Sequence, residues 1–442
     1  MTVTHRADRV FFRSLRDREF ARLDARGTAY LDFTGAGLYG ATQVERHVEL
    51  LRGAVLGNPH SESLPSRAST AILERARRRV LESLGGDTDE HVVCFTTNAT
   101  AALRLVGEAF PFVSGSHLVL SADNHNSVLG IREMARAKGA RIHVLPLDGE
   151  LRLDDPGARL PVADPGSPSL LSFPAQSNFS GVRHPLGLVD RAREAGYRVL
   201  LDAAAFVPTC RLDLGDVPAD FVALSFYKIF GYPTGVGALV ARRQALEELR
   251  RPGFAGGTVA FASVSQDLHR LLDGPEAFED GTPPFLGVSA LEAGYDFLDT
   301  VGLERLDRRV KTLVAGLLQG LSGLRHEAGG PMVRLHGPSD TRDRGGTVAF
   351  SVLARDGTAV PFARVVRRAD EAGVAVRGGC FCNPGASEAA FGLPGASLAA
   401  CYEAFRTGPF TPEGLSRCLD GVPVGAVRAS VGMATVEEDV RR

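Results

Sequence analysis

From residue 90 to 240, short apolar runs alternate with amphipathic stretches. Several of the runs are apolar at nearly every position, which is typical of strands buried on both faces. The candidate strands span 91–95, 117–121, 141–145, 170–173, 199–201, 221–224 and 237–240. Candidate helices lie between them at 100–108, 128–138 and 186–195. This alternation predicts an α/β fold with a mostly parallel, doubly wound sheet.

Beyond this region the pattern changes. A helix-rich joint at 288–324 precedes a smaller α+β unit, with candidate strands at 346–352, 374–377 and 426–430. Segments rich in Pro, Gly and Asp at 159–169 and 329–345 predict surface loops. We therefore expect an N-terminal arm at 1–29, a large domain at 30–287 and a small C-terminal domain at 288–442.

Polar residues follow the ends of several candidate strands: Thr97, His125, Asn178, Asp202 and Lys228. In a doubly wound sheet, ligands bind beyond the carboxyl ends of the parallel strands. We therefore expect these side chains to meet at one edge of the sheet and to form one ligand site.

Lys228 is the candidate for covalent attachment of a cofactor. It follows an apolar strand in the string SFYK, and Gly231, Gly235 and Gly237 come after it. Apolar surroundings lower the pKa of a lysine and favour an imine with an aldehyde, and glycines let the backbone approach a bulky ligand. A lone lysine is more often a surface residue, but lysine is scarce in this chain and the other strand ends supply complementary groups.

Asp202 and His125 suit a flat, protonated ring. The Asp202 carboxylate would pair with a pyridine nitrogen, the small Ala204 would leave room beneath the ring, and His125 would stack on its other face. Taken alone, Asp202 is equally well explained as a helix cap and His125 as a buried structural residue.

Two segments suit a phosphate. The string TNAT at 97–100 lies between a strand and a helix, and the free N–H groups and dipole of a helix N-terminus favour an anion. A capping threonine would explain this string as well, and the string DGT that ends at Thr282 is by itself only a turn.

The string RGGCFCNPG at 377–385 predicts an exposed loop that carries two thiols, Cys380 and Cys382. The glycines at 378, 379 and 385 would let the loop swing, and a thiol near Arg377 is suited to act as a thiolate nucleophile. The alternatives are inert buried cysteines or part of a metal site, although no second Cys/His cluster of matching spacing supports a metal. Further on, Arg428 offers a guanidinium for a substrate carboxylate or for a surface salt bridge.

Composition limits the classes of function without naming one. The formal net charge is -2, which gives no electrostatic argument for binding nucleic acid or an anionic membrane. No run approaches the roughly 20 apolar residues of a membrane span, and the first residues lack the apolar core of a secretory signal. The six cysteines are too sparse to suggest a disulfide framework. We therefore expect a cytoplasmic enzyme without metal, membrane or nucleic-acid partner.

With these residues in view, the chain resembles the class V aminotransferase family, and within it the cysteine desulfurase-like N-terminal domain of molybdenum cofactor sulfurases. The resemblance runs from about Tyr30 to Asp439. It is carried by the strings LDFTGAGLYG, GNPHS, FTTNATAAL, NHNSVLGIRE, SNFSG, LDAAAF, SFYKIFGYPTGVGAL, FEDGTPPF, RGGCFCNPGA and VRASVG. It implies the PLP-dependent aminotransferase fold (fold type I), with pyridoxal 5′-phosphate (PLP) as cofactor, and a homodimer.

The resemblance also implies a role for each matching position around the cofactor. Lys228 would hold PLP as a Schiff base, Asp202 would bond the pyridine nitrogen, and His125 would stack on the ring. Asn178 would lie near the ring hydroxyl. The groups that would hold the phosphate are Ala99, Thr100, Ser225, Tyr227 and Thr282 of the partner subunit.

On the substrate side, the resemblance implies that Arg428, helped by Arg377, binds the carboxylate of an amino acid. Cys382 falls where desulfurases keep the cysteine that accepts sulfur as a persulfide, five residues after Arg377. Cys380 remains a packing residue or a resolving thiol. The sequence departs from the resembled pattern at Ala205, where many desulfurases have Gln, and at Ser387, where the sulfurase branch has another Cys.

These inferences together predict a PLP-dependent, cysteine desulfurase-like enzyme that releases alanine from L-cysteine. Eukaryotic cofactor sulfurases continue into a second domain that binds the molybdenum cofactor, so the resemblance leaves the sulfur acceptor open. The alternatives are another class V reaction, such as a C–S or β-lyase, an epimerase or an aminotransferase, with Cys382 not catalytic. A catalytically silent scaffold is a further alternative, against which the presence of Lys228 and Asp202 argues.

Overall fold

The computed structural model describes residues 3–442. Its strands, in chain order, are β1 Ala29–Tyr30, β2 His91–Thr96, β3 His117–Ser121, β4 Arg141–Leu145, β5 Ser169–Pro174, β6 Tyr197–Asp202, β7 Phe221–Ser225, β8 Gly237–Arg242, β9 Val259–Ser263, β10 Leu268–Leu271, β11 Val333–His336, β12 Thr347–Val352, β13 Val374–Ala375, β14 Arg377–Gly379 and β15 Ala426–Ser430.

The helices, in the same order, are α1 Val3–Glu19, α2 Ala21–Ala25, α3 Ala41–Gly53, α4 Leu64–Ser83, α5 Ala99–Ala109, α6 Asn126–Leu129, α7 Ile131–Ala137, α8 Leu188–Glu194, α9 Phe226–Phe230, α10 Arg243–Glu248, α11 Phe285–Val288, α12 Ala290–Val301, α13 Leu303–Gly323, α14 Phe362–Glu371, α15 Pro384–Phe391, α16 Gly395–Phe405, α17 Pro412–Cys418 and α18 Glu437–Arg441. The helix expected at 128–138 is divided into α6 and α7, which meet at Gly130.

The large sheet has the strand order β2-β8-β7-β6-β5-β3-β4. The pairs from β7 to β4 are all parallel, and β8 runs antiparallel to both of its neighbours. The expected mostly parallel, doubly wound sheet is therefore confirmed. Every strand predicted from the apolar runs between residues 90 and 240 is present, with its ends shifted by no more than a few residues.

The central strands are apolar at most positions because both faces of the sheet are covered. β3, β5 and β7 are buried along their whole length. One face packs against a cluster that includes Leu103, Val106 and Ile131 from α5 and α7, and the other against a larger cluster that extends into the C-terminal region. This double covering leaves the carboxyl ends of the strands as the accessible edge.

The C-terminal region is built on an antiparallel sheet of order β11-β12-β15-β14. Two sequence expectations are wrong here. The strand expected at 374–377 is divided, because β13 pairs with β1 whereas β14 pairs with β15. The segment 329–345, expected as a loop, contains β11, which adds an edge strand beside β12.

The two ends of the chain lie against each other. Arg16 of α1 is almost fully buried, and it donates to the Ala434 carbonyl and to Asp439. The expected domain boundaries at residues 29 and 287 stay a prediction. No helix among residues 3–442 is long and apolar enough to cross a membrane.

One pair of cysteines forms a disulfide, although the sparse cysteines suggested no disulfide framework. Cys401 of α16 and Cys418 of α17 form a disulfide, which joins two consecutive helices. The sequence did not predict this pair, because the two cysteines come together only through the packing of the two helices. Cys94, Cys210, Cys380 and Cys382 are free thiols.

Candidate active site

The carboxyl ends of the parallel strands open onto a cavity of about 630 Å³. His125, Asn178, Asp202 and Lys228 all line it, together with Ala204 and the residues at the start of α5. The expected meeting of strand-end side chains is therefore observed for four of the five positions. Thr97 is the exception, since its neighbour Asn98 lines the cavity instead.

Lys228 enters the cavity from α9, the single helical turn that follows β7. Its amine has no hydrogen-bond or ion-pair partner among the described residues, and burial lowers its pKa, with Asp202 opposing the shift. The turn ends at Gly231 in a left-handed conformation (φ +75°), where a Cβ would lie 2.3 Å from the backbone of Leu38. Only glycine fits there, so this close approach fixes the base of Lys228.

Asp202 has one oxygen for each of the two roles that its sequence left open. Its Oδ1 accepts a hydrogen bond from the Ala204 amide at 3.0 Å, which caps the turn after β6. Its Oδ2 has no partner among residues 3–442, although Asp202 is only 9% exposed. A nearly buried carboxylate oxygen without a donor suits the protonated nitrogen of a ring in the cavity.

His125 also lines the cavity, at the N-terminus of α6. Its Nδ1 accepts a hydrogen bond from the Ser127 amide at 3.1 Å. Burial lowers the pKa of His125, and nearby Lys228 and Arg428 lower it further. The imidazole is therefore neutral at neutral pH, and its flat face is available for stacking.

The start of α5 forms the polar end of the cavity. Asn98 caps this helix by accepting from the Ala101 amide at 3.0 Å. The Ala99 amide donates to Ser225 Oγ at 2.8 Å, and the Thr100 and Ser127 hydroxyls lie 2.7 Å apart. This hydroxyl-lined helix N-terminus suits a phosphate.

Of the two further residues expected to bind the phosphate, Tyr227 lies in the cavity and Thr282 lies outside it. Tyr227 lines the cavity, and burial raises the pKa of its phenol. Thr282 does not line the cavity of its own chain; it is exposed, with its hydroxyl 3.4 Å from Asn58 Nδ2.

A carboxylate that the sequence reasoning missed lies between the two expected substrate arginines. Asp32 Oδ2 accepts from Nε and Nη2 of Arg377 at 3.0 and 2.6 Å, and its Oδ1 accepts from Nη2 of Arg428 at 3.0 Å. Arg428 also donates to the carbonyl of Asn178, and its buried Nε has no partner. Neither arginine lines the cavity directly. The string LDFTGAG contained Asp32, but nothing local connected it to Arg377, 345 residues away.

The loop that carries Cys382 is docked against residues of the cavity. The Asn126 amide donates to the Cys382 carbonyl at 2.7 Å, and Asn178 Nδ2 donates to the Phe381 carbonyl at 2.7 Å. Phe381 is buried, with its ring 4.7 Å from the Arg428 guanidinium. The expectation that the glycines let this loop swing stays a prediction. A Cβ at Gly385 would lie 2.2 Å from the Ala122 carbonyl oxygen, so this glycine permits close packing.

The thiol itself remains accessible. Cys382 is exposed, and it shares a left-handed backbone with Phe381, both with φ of 56°. Such a conformation is strained for residues with a side chain and persists where surrounding contacts impose it. Cys382 does not line the cavity itself, and its backbone joins it to the residue that follows His125, Asn126. Cys380 follows β14 directly and is half-buried.

A buried network of polar side chains anchors this loop. Asn383 Nδ2 donates to Asp123 Oδ1 at 2.6 Å and to Asn178 Oδ1 at 2.9 Å. Asp123 Oδ2 in turn lies 2.8 Å from His184 Nε2. The side-chain amide of Asn178 therefore holds the loop, while one Nδ2 hydrogen remains for a ring hydroxyl. Sequence reasoning missed Asn383 although it directly follows Cys382.

Gln176 was also missed. It lines the cavity at the strand ends and also a second, narrow pocket that shares Lys228 with it. Its Nε2 donates to the Ala205 carbonyl at 2.8 Å. A glutamine amide is thus present beside Ala205, the position at which the sequence departs from the resembled pattern.

Comparison with known families decides what kind of protein presents this site. The model of the family described as "Aminotransferase class-V" matches residues 29–442. The chain belongs to the class V aminotransferase family. The cofactor of this PLP-dependent family is the one expected from the sequence, so the predictions of family, fold and cofactor are confirmed.

Class V relatives support this assignment. The molybdenum cofactor sulfurase of Bos taurus is 38% identical over 451 residues, which cover 97% of this chain and 50% of that protein. The sulfurase of Drosophila mojavensis is also 38% identical, with 97% of this chain and 58% of that protein covered. The chain thus spans about half the length of the curated relatives it matches.

A solved structure agrees on the fold. The apo structure of a cysteine desulfurase from Thermococcus onnurineus NA1 superposes with a TM-score of 0.79 at 24% identity, covering 97% of this chain and 95% of that one. At this level of identity the similarity establishes the fold alone.

Proposed function

We propose that this chain is a cysteine desulfurase-like enzyme, which takes sulfur from L-cysteine onto Cys382 and releases L-alanine. The observation that carries the proposal is the docked loop. It holds an exposed thiol, Cys382, next to the cavity, because the loop carbonyls accept hydrogen bonds from Asn178 of the cavity and from the Asn126 amide beside His125. The names of the curated relatives and of the structural neighbour support a reaction of this class.

The residues of the cavity fit PLP. The unpartnered amine of Lys228 would hold the cofactor, the free Oδ2 of Asp202 would face its ring nitrogen, and neutral His125 would lie against the ring. Ala99, Thr100, Ser225 and Tyr227 would hold the phosphate. When bound, PLP withdraws electrons from the carbon atoms of an amino acid attached to it.

Lys228 would move protons. Burial lowers the pKa of Lys228, which favours the unprotonated amine that would accept the proton from Cα of the substrate. The same amine would return a proton to Cβ. Asp202 would keep the ring nitrogen protonated, and Arg428, aided by Arg377, would bind the substrate carboxylate.

Cys382 would accept the sulfur. As thiolate, its Sγ would form a bond to the substrate sulfur while the bond between that sulfur and Cβ breaks, and the electron pair would stay on Cβ until a proton arrives. One cysteine and one protein thiol thus give one alanine and one persulfide, with no external oxidant. Cys380 would not be needed for this step.

We propose that the active unit is a homodimer. Thr282 is exposed and lies outside the cavity of its own chain, so only Thr282 of the partner subunit would reach the phosphate. Apolar side chains are exposed on the nearby β9–β10 hairpin, including Phe261 and Leu268, and such surface is typical of an interface. Light scattering of the PLP-loaded protein tests this, because a fully loaded monomer would contradict it.

Product analysis with L-cysteine under reducing conditions tests the proposed reaction. We expect alanine and sulfide in equal amounts from the wild type, and none from Lys228→Ala. Cys382→Ser should lose alanine formation and keep PLP, whereas the matched control Cys380→Ser should retain both. Pyruvate and ammonia instead of alanine, unaffected by Cys382→Ser, would make the chain a lyase.

A further inference from the structure

The two expected substrate arginines share one carboxylate. Asp32 binds Arg377 through two nitrogens and Arg428 through one. It is 9% exposed, and the adjacent Gly35 packs so closely that a Cβ there would lie 2.6 Å from Asp32 Oδ2 and 2.7 Å from Arg377 Nη2. The carboxylate is therefore built into the site.

This arrangement sets the charge that a substrate meets. Tyr30 stays neutral, because burial and Asp32 raise its pKa to about 12. Two guanidinium groups and one carboxylate then leave a single positive charge. Without Asp32, the same two arginines would present two positive charges.

The donors that remain suit one carboxylate. Nε of Arg428 is buried without a partner, and Nη1 of Arg377 has no partner in the described part of the chain. A single anionic group would satisfy the unpartnered nitrogen and neutralise the remaining charge. A second acidic group on the same molecule would find no further unpaired positive charge among these three side chains, and Asp32 would repel it.

We propose that Asp32 is a specificity-determining residue, which restricts this site to amino acids with one carboxylate and an uncharged side chain. The inference rests on the proposed function, in which Arg428 and Arg377 bind the substrate carboxylate. It adds the class of substrate that the site rejects, namely amino acids with a second acidic group such as aspartate.

The test compares binding of L-alanine, L-asparagine and L-aspartate to the PLP-loaded protein, followed by the change in cofactor absorbance and by calorimetry. Asparagine and aspartate have nearly the same shape, so their ratio isolates the effect of charge. We expect the wild type to bind asparagine at least about tenfold more tightly than aspartate, since tenfold is close to the effect of one charge–charge contact of about 4 Å that is fully screened by water.

Asp32→Asn should remove this preference, and Asp32→Glu, which keeps the negative charge, should retain it. Asp439→Asn is the matched control, because Asp439 is also a buried carboxylate bonded to a buried arginine, Arg16, and lies outside the site. It should keep the wild-type ratio.

Three outcomes are informative. Equal binding of asparagine and aspartate by the wild type would overturn the inference without any variant. So would an Asp32→Asn protein that weakens all ligands equally and keeps their ratio, since that result would make Asp32 a structural residue. A wild type that keeps its cofactor band and responds to none of the amino acids, L-cysteine included, would instead refute the proposed function.

Discussion

Asn383→Ala tests how firmly the Cys382 loop is held. Asn383 is fully buried, with hydrogen bonds to Asp123 at 2.6 Å, to Asn178 at 2.9 Å and from the Ala386 amide at 3.2 Å. A hydrogen bond to a charged group contributes about 1.5–3 kcal/mol and a neutral one about 1 kcal/mol. We therefore expect the variant to lose about 4 kcal/mol, either from the free energy of unfolding or from the docking of the loop alone.

Two measurements separate these outcomes. Urea denaturation of the cofactor-free protein reports the free energy of unfolding, and hydrogen exchange of the amides at 380–386 reports local opening. Ser387→Ala is the matched control, since Ser387 is buried on the same helix and its hydroxyl makes one long bond of 3.4 Å to the Val424 carbonyl; it should cost less than about 1 kcal/mol. An Asn383→Ala protein with wild-type stability and wild-type protection of the loop would refute the anchoring role.

Three further predictions concern titration and packing. Burial lowers the pKa of Lys228 in the folded protein below its ordinary value of 10.5. Between the folded and the unfolded pKa the unfolded chain binds the proton, so wild-type stability rises with pH. Lys228→Met should therefore stabilise the cofactor-free protein at pH 7, with a gain that shrinks toward pH 10, and equal melting temperatures of the two proteins at pH 7 would contradict this. Burial lowers the pKa of His336 from 6.5 to about 4, so the stability of the protein should fall as the pH falls from 6.5 to 4. His336→Gln retains a group able to bond Ser351 and should make this loss of stability smaller. Thermal unfolding measured across the pH range tests this. Gly385→Ala places a Cβ 2.2 Å from the Ala122 carbonyl oxygen, so the substitution should displace the loop. We expect the rate of alanine production to fall at least tenfold while PLP stays bound. An unchanged rate would be evidence against the docked loop.

The sheet was predictable because its physical signal is local. Strands such as β3 and β5 are buried on both faces, so nearly every position is apolar and the run is visible without knowledge of its neighbours. The convergence of His125, Asp202 and Lys228 followed from the same pattern, since parallel strands end at one edge of the sheet.

Long-range pairing was not predictable in this way. Asp32 meets Arg377 and Arg428 only because an isolated bridge aligns it with Ser430 near the other end of the chain. Local composition also does not show the tertiary contacts that surround a loop. The glycines around Cys382 suggested mobility, yet Gly385 is needed for close packing against Ala122.

Mapping the sulfur-bearing cysteine after a single turnover with L-cysteine tests the central claim most directly. Peptide mass spectrometry of the trapped, PLP-loaded protein should find one extra sulfur atom on Cys382, with alanine formed in equal amount. Cys380 and the other free thiols should be unmodified. Extra sulfur on Cys380 with Cys382 unmodified, or alanine formed with no sulfur on either thiol, would contradict the account.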